Sequence, residues 1–323
     1  MSVLLLGNGI NLQEGFTLKW ELLLADIAKQ FGCAFEDSLS NTLTYEMVET
    51  GILKAHPGTS VHDIHKQIAK GLETDKLRGM KTKEDWAGTV HRALTALPVK
   101  AILTTNYDYA LERSLEPRFR PRYNTRETTY SLLRYQDAGD RRIFHIHGES
   151  GYPGSICLGY GQYAGSLQRI REQIVRSTKD LGSGHSYLLA DLLTKLSPKP
   201  EPSWIFDFFL ENVYILGLSL DVSELDLWWL LSYRSSQLTS RRLPISNRIV
   251  YLDTGFDTVE DAVPDCSLPD CAYKRQALMG KAQDRARKKA LLEAFHVEYR
   301  MCRGDSFGAQ YADALDILKK ACK

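Results

Sequence analysis

The 323-residue chain has no Cys-x-x-Cys pair, no surplus of charge of either sign, no internal repeat and no apolar run long enough to cross a bilayer. Each absence removes a class of protein. The six cysteines (Cys33, Cys157, Cys266, Cys271, Cys302 and Cys322) are scattered, so the paired-thiolate spacing of a four-cysteine zinc site is missing. With 41 basic against 40 acidic residues the formal charge is +1, which removes the compositional argument for a general nucleic-acid binder. A membrane helix needs about 18 or more apolar residues in succession, yet the most apolar window, Val213 to Tyr233, carries Asp221, Glu224 and Asp226. Met1 to Gly7 enters an apolar strand with no basic leader and no small-residue cleavage site. Cytoplasmic residence with reduced thiols is therefore expected. At 43% hydrophobic and 25% charged residues, the chain has the means to bury a core without disulfides or a structural metal.

What is present is a series of short, branched apolar runs: Val3–Leu6, Val99–Leu103, Arg142–Ile146, Val213–Leu218, Arg248–Leu252 and His296–Met301. Helical periodicity lies between most of them. Continuous rather than alternating apolar runs predict a parallel sheet covered on both faces, an α/β, Rossmann-like doubly wound fold. Residues 35–95 and 162–199 read as helical insertions without a core of their own, the first broken near Pro57 and Gly58 and the second ending at Pro198, Pro200 and Pro202. Residues 255–271, with Pro264 and Pro269 among acidic side chains, read as a loop, and Lys274 to Phe295 as a long basic helix. The whole is expected to be one domain, with the basic helix and a final strand filling residues 274–323.

Ligands of such sheets bind beyond the carboxyl ends of the strands, and four polar segments lie at those ends. Gly7-Asn8-Gly9-Ile10-Asn11 follows the first run, where glycines let the backbone approach a phosphate; a tight turn with no ligand fits equally. Thr105-Asn106-Tyr107-Asp108 follows the second. The Asn106 amide can hold a ribose hydroxyl or a water, while any of Thr105, Asn106 and Asp108 can also cap the next helix, Tyr109–Leu115. In Phe144-His145-Ile146-His147-Gly148, strand alternation places both histidines on one face. A histidine facing a cleft suits proton transfer, since its ordinary pKa of about 6.5 lies near cellular pH. No further metal-ligating cluster accompanies the pair, and no metal is expected. Gly217-Leu218-Ser219-Leu220-Asp221 closes the set, lining a phosphate or ribose or capping a helix. Asp253, at the end of a later run, is a further candidate for a ribose contact.

Taken in this order, the four segments resemble a bacterial sirtuin-like NAD-consuming domain of the kind found in antiphage defence. The likeness extends from Val3 to about Asp253. Gly7, Gly9 and Gly15 match the family's first glycine-rich loop, with Asn8 and Asn11 in place of Ala and Ser. The same Gly-Asn-Gly opening occurs in the AbiH-like abortive-infection family, so that loop does not decide alone. Thr105, Asn106 and Asp108 match the Gln/Thr-Asn-x-Asp element; His147-Gly148 matches the catalytic His-Gly; Gly217, Ser219 and Leu220 match the Gly-x-Ser-Leu element that contacts the dinucleotide. The zinc-binding Cys-x-x-Cys pairs of protein-deacylating sirtuins are missing, and Lys19-Trp20 stands where those enzymes carry Phe-Arg.

The resemblance implies cleavage of the nicotinamide–ribose bond of NAD, as substrate, to give nicotinamide and ADP-ribose. Asn106, His147 and Asp108 would be catalytic, and Gly7, Asn8, Gly9, Asn11, Thr105, Gly217, Ser219 and Asp253 would bind the dinucleotide. It further implies an NAD-depleting effector of abortive infection, acting as a homo-oligomer or with a separate sensor such as an ATPase or a nucleic-acid-guided protein, away from membranes. A non-catalytic NAD or ADP-ribose module is the alternative, and a deacylase a more distant one. Tyr163 either lines the nicotinamide side of the pocket or packs. Arg118, Arg120, Arg122 and Arg126, interleaved with Phe119 and Tyr123, and the segment 274–289 read as solvated faces or partner surfaces, with no direct nucleic-acid binding expected.

Overall fold

A computed structural model describes residues 1–36, 38–124, 127, 129–175, 189, 193, 202–255 and 271–323, without the side chains of 271–279 and 281. Pro198, Pro200, Arg126, Cys266 and the prolines and acids of 256–270 therefore lie outside the described residues. Among the described residues seven strands form one sheet: β1 (Ser2–Leu6), β2 (Ala101–Thr104), β3 (Gln136–Ala138), β4 (Arg141–His145), β5 (Asn212–Leu216), β6 (Ile249–Asp253) and β7 (Glu298–Met301). Their order is β3-β4-β2-β1-β5-β6-β7, and every pairing is parallel except that of β3 with β4.

The apolar runs are continuous because helices cover both faces. Val3, Leu5, Leu103, Phe144 and Ile215 pack against the helices Trp204–Leu210 and Leu225–Ser240. On the other face, Leu4, Leu6, Ile102, Ile143 and Leu216 pack against Val90–Thr95, Ala110–Leu115 and Phe307–Ala321. This is the mixed α/β, doubly wound arrangement expected from the sequence. The edge strand β3 was not legible there. It has three residues, too few to establish a period.

The helices of residues 35–95 share a core with neighbouring segments. Leu23, Leu24, Ile27, Tyr45, Val48, Ile52, Ile64 and Ile68, from the helices Trp20–Phe31, Asn41–Ala55 and Val61–Gly71, form an apolar cluster separate from those of the sheet. The break at Pro57 and Gly58 separates the last two helices, and Ser60 starts the second with a reciprocal capping box to Asp63. Tyr107, Ile156 and Leu158 join this cluster from the loops after β2 and β4, so the helices sit at the carboxyl end of the sheet. In the second insertion Tyr160–Val175 is helical, and the basic segment begins within the helix Cys271–Ala294. No described helix is long and apolar enough to cross a membrane.

Candidate active site

From β1 the chain order of the sheet runs outward in both directions, through β2 and β4 on one side and β5, β6 and β7 on the other. Loops that follow neighbouring strands diverge at such a switch point and leave a crevice. Here the crevice is a cavity of about 740 Å³, within the range of about 300–1,000 Å³ typical of small-ligand sites. Asn8, Gly9, Thr105, Asn106, Asp108, His147, Gly217, Ser219 and Asp253 all line it. Gly7 and Asn11 are not among its lining residues.

Those two act beneath the surface. The Gly7 N–H donates to the Leu216 carbonyl at 3.0 Å and the Gly9 N–H to the Gly217 carbonyl at 2.7 Å. A β-carbon on Gly9 would fall 2.8 Å from the Gly217 oxygen and 2.7 Å from the Tyr311 hydroxyl. These glycines thus allow the loops after β1 and β5 to touch, and their N–H groups are engaged within the chain. Asn11 is fully buried. Its Nδ2 donates to Asp108 Oδ2 at 2.6 Å and to Asn8 Oδ1 at 3.2 Å, while its Oδ1 accepts from His91 Nε2 at 2.6 Å. Burial holds the His91 imidazole down at about 3, so it is neutral. Asp108 also accepts from the Ala110 N–H at 2.9 Å, a local turn bond just ahead of the helix Ala110–Leu115, whose N-cap position is Tyr109. Burial pushes its carboxyl up to about 6. Asp108 therefore joins the first loop to the second.

Asn106 is buried in the cavity wall, with Nδ2 3.4 Å from the Gly7 carbonyl and an Oδ1 that has no hydrogen-bond partner. A buried amide oxygen left unpaired is costly. A ligand hydroxyl or a water would complete it.

The two histidines do not share a face. Alternation ends with β4 at His145, and Gly148, at φ +102°, turns the chain where a β-carbon would lie 2.2 Å from the Ser155 carbonyl oxygen. His145 lies on the side of the helix Ala110–Leu115, where Nδ1 donates to the Asn106 carbonyl at 2.6 Å and Nε2 to Glu112 at 2.8 Å. Burial alone would depress its pKa, but Glu112 and the carbonyl hold it up at about 9. It steadies the backbone of Asn106 from behind. His147 reaches the cavity and the opposite helix layer, where Nε2 donates to Asp226 Oδ2 at 3.2 Å. Ser166 Oγ donates to the same oxygen at 2.7 Å, and Asp226 Oδ1 accepts from the Leu227 N–H at 2.9 Å. Burial opposes the charges of this pair, yet the mutual attraction raises the pKa of His147 and lowers that of Asp226. Tyr163 both packs and lines the cavity, its ring edge-on to His147 at 5.3 Å. Glu224 stands nearby in the cavity wall, its carboxyl raised to about 7 by burial.

At the far end, Asp253 Oδ2 is held by Arg285 Nε at 2.8 Å and by the Tyr299 hydroxyl. The Asp253 carboxylate on the rim is thus tied to the basic helix. Lys288, from the same helix, lines the cavity and donates to the Ser219 carbonyl. Lys19 and Trp20 line the opposite mouth. Arg118, Arg120 and Arg122 are exposed, but Phe119 packs on Tyr109 with ring centroids 5.6 Å apart, so it is not free to stack on bases. Among the described residues no group of three or more metal-ligating side chains is assembled.

No sequence motif marks Asp226, Glu224, Ser166, His91 or Lys288 as a site residue. The available signal for Glu224 and Asp226 was their presence as charges inside the most apolar window of the chain. For the other three there was none, because only the packing of distant helices brings them to the strand ends.

Residues 100–190 match the family model of the SIR2-like domain. No curated protein matches the chain. The matched stretch holds Thr105, Asn106, Asp108 and His147, which line the cavity, and supports a sirtuin-type, NAD-related resemblance there; Gly7 to Asn11, Gly217 to Leu220 and Asp253 lie outside it.

Proposed function

We propose that the protein is an NAD+ hydrolase: NAD+ and water give nicotinamide, ADP-ribose and a proton. The observation that carries this reading is the unpaired, buried Oδ1 of Asn106 in one cavity with the Asp226-bound His147. Nicotinamide leaves as a neutral molecule from a cationic ribosyl pyridinium, so the bond breaks through an oxocarbenium-like state with little need for an acid. The chain's task is then orientation and placement of charge. Asn106 Oδ1 accepts from the attacking water or a ribose hydroxyl and so fixes its position. His147, with Nε2 committed to Asp226, uses its other ring nitrogen toward a ribose hydroxyl or as acceptor of the released proton. Asp226 keeps that tautomer and stabilises the imidazolium. Asp108 and Asn11 hold the Asn106 loop against the first loop, and Tyr163 shields the histidine. The carboxylates of Asp226 and Glu224 suit a ligand whose reacting end is cationic.

The physiological role that goes with this activity, by the resemblance, is depletion of NAD in an antiphage response, with the protein acting as an oligomer or under a separate activator. The test is to incubate the purified protein with NAD+, alone and with candidate activators, and to follow nicotinamide and ADP-ribose by chromatography. Release by the wild type, and its loss in His147→Ala and Asn106→Ala, is the expected result. Equal release by wild type and variants refutes the residue assignment. Binding without turnover under every condition indicates a regulatory module, and release only with an acylated peptide indicates a deacylase.

A further inference from the structure

The first loop, the usual candidate for cradling a diphosphate, has two of its N–H groups engaged: those of Gly7 and Gly9 donate to Leu216 and Gly217. The cavity wall is also rich in acid, with Glu21, Asp108, Asp221, Glu224 and Asp253 against only two lysines, Lys19 and Lys288, among its described residues. A dianionic diphosphate gains little beside those carboxylates and most where a cation stands.

The sheet fixes which lysine is suitably placed. Asn106 follows β2 and Asp253 ends β6, and these strands are separated by β1 and β5. Three strand spacings amount to about 14 Å, comparable with the separation of the two ribose rings in an extended dinucleotide. A ligand with its reacting ribose at Asn106 and its other ribose toward Asp253 would carry its diphosphate across β1 and β5. Lys288 reaches that middle position, at the carbonyl of Ser219 in the loop after β5. Its ammonium has three donors, of which the Ser219 carbonyl takes one. Burial lowers its pKa although Asp253 and Glu224 raise it and Arg285 lowers it further, so the nearby carboxylates do not offset its desolvation. A phosphate would.

We infer that Lys288, carried into the cavity by the helix Cys271–Ala294, is the side chain that holds the diphosphate of the ligand. This rests on the dinucleotide reading above, and it assigns a binding role to a helix beyond the SIR2-like stretch. Arg285, paired to Asp253 on the same helix face, fastens the helix to the end of β6 so that Lys288 is presented in place.

The test is calorimetric titration of the full-length protein with ADP-ribose and with adenosine, which lacks the diphosphate. Lys288→Met should weaken ADP-ribose binding about 10-fold to 100-fold, the effect of losing a charge-assisted hydrogen bond, with adenosine binding unchanged. Lys288→Arg should restore most of the affinity. Equal ADP-ribose binding by wild type and Lys288→Met, an equal loss for ADP-ribose and adenosine, or no ADP-ribose binding by the wild type would each overturn the assignment. Absence of nicotinamide release alongside a Lys288-dependent preference for ADP-ribose would refute the hydrolase reading and leave the lysine assignment standing.

Discussion

Replacing Asp226 by Asn removes a charge and almost no volume at a buried point on which two hydrogen bonds converge. In the native protein Oδ2 accepts from His147 Nε2 at 3.2 Å and from Ser166 Oγ at 2.7 Å, with both partners of the His147 pair almost fully buried. An Asn oxygen can take the same place, so each bond changes from charge-assisted, about 1.5–3 kcal/mol, to neutral, about 0.5–1.5 kcal/mol, and the amide NH2 that replaces Oδ1 cannot accept from the Leu227 N–H. The summed loss is about 3 kcal/mol, or on the order of 4 °C in Tm for a chain of this size. The loss depends on pH with a definite sign. The His147 pKa is raised in the folded protein, so its stabilising pairing is complete below the ordinary value of about 6.5 and is lost as pH rises through the raised value. The Asp226 pKa is lowered, so its share is present above the ordinary carboxylate range and lost as pH falls through the lowered value. The Tm deficit of the variant should therefore be largest between those ranges, in mild acid, and should shrink in alkali. Activity moves with it. If neutral His147 is the working form, the wild-type rate rises as pH passes the raised His147 pKa. In Asp226→Asn burial is opposed only by the through-space charge of Glu224, so the imidazole pKa falls and the acid limb of kcat/KM moves to lower pH, while the plateau drops about 100-fold from loss of the oriented, stabilised base. A thermal-shift series and a steady-state pH profile read both effects. An unshifted acid limb with the wild-type plateau would refute the pairing as part of the mechanism.

Glu224→Gln should move the acid limb in the same direction but by less, with a smaller loss of plateau, because Glu224 supports the imidazolium through space without bonding to it; the pH profile of the variant checks this. Its carboxyl titrates at about 7, so any step in the wild-type profile near that pH should vanish in the variant. Gly148→Ala should destabilise the fold by about 3 kcal/mol or more, since a β-carbon there meets the Ser155 carbonyl at 2.2 Å on a backbone with φ +102°; denaturant titration measures it, and a neutral result would contradict the turn. Asn106→Ala should abolish nicotinamide release by about 100-fold or more while changing Tm little, because its amide makes one long hydrogen bond of 3.4 Å and leaves its oxygen unpaired. A large Tm loss in that variant would assign Asn106 to the framework of the fold.

The parallel sheet was legible because its strands are buried on both faces and therefore write themselves as unbroken apolar runs, and Pro57-Gly58 was legible because those residues break helices wherever they stand. The strand-end positions of Asn8, Asn106, His147 and Ser219 followed from the same runs, and the cavity contains all four. The face of His147 did not follow. Period-two alternation holds only while the chain stays in a strand, and β4 ends at His145, two residues before His147. The division of labour among the buried polar groups was equally hidden. Asn11 is turned from a ligand-facing side chain into an internal brace by His91, which is 80 residues away, and His147 gains its charge partner from Asp226, 79 residues on. The basic helix shows the same division. Its sequence reads as a solvated face, and only its packing against β7 brings Lys288 to the cavity and Arg285 to Asp253 on the rim. Sequence by itself determined the six parallel strands, their order of appearance and the chemistry available at their ends, though not the three-residue edge strand β3, because burial and turn preference act over a few residues. Tertiary structure decided which of those groups face the ligand, which carry charge and which merely hold others in place, because desolvation and pairing depend on neighbours that the chain brings together only when folded.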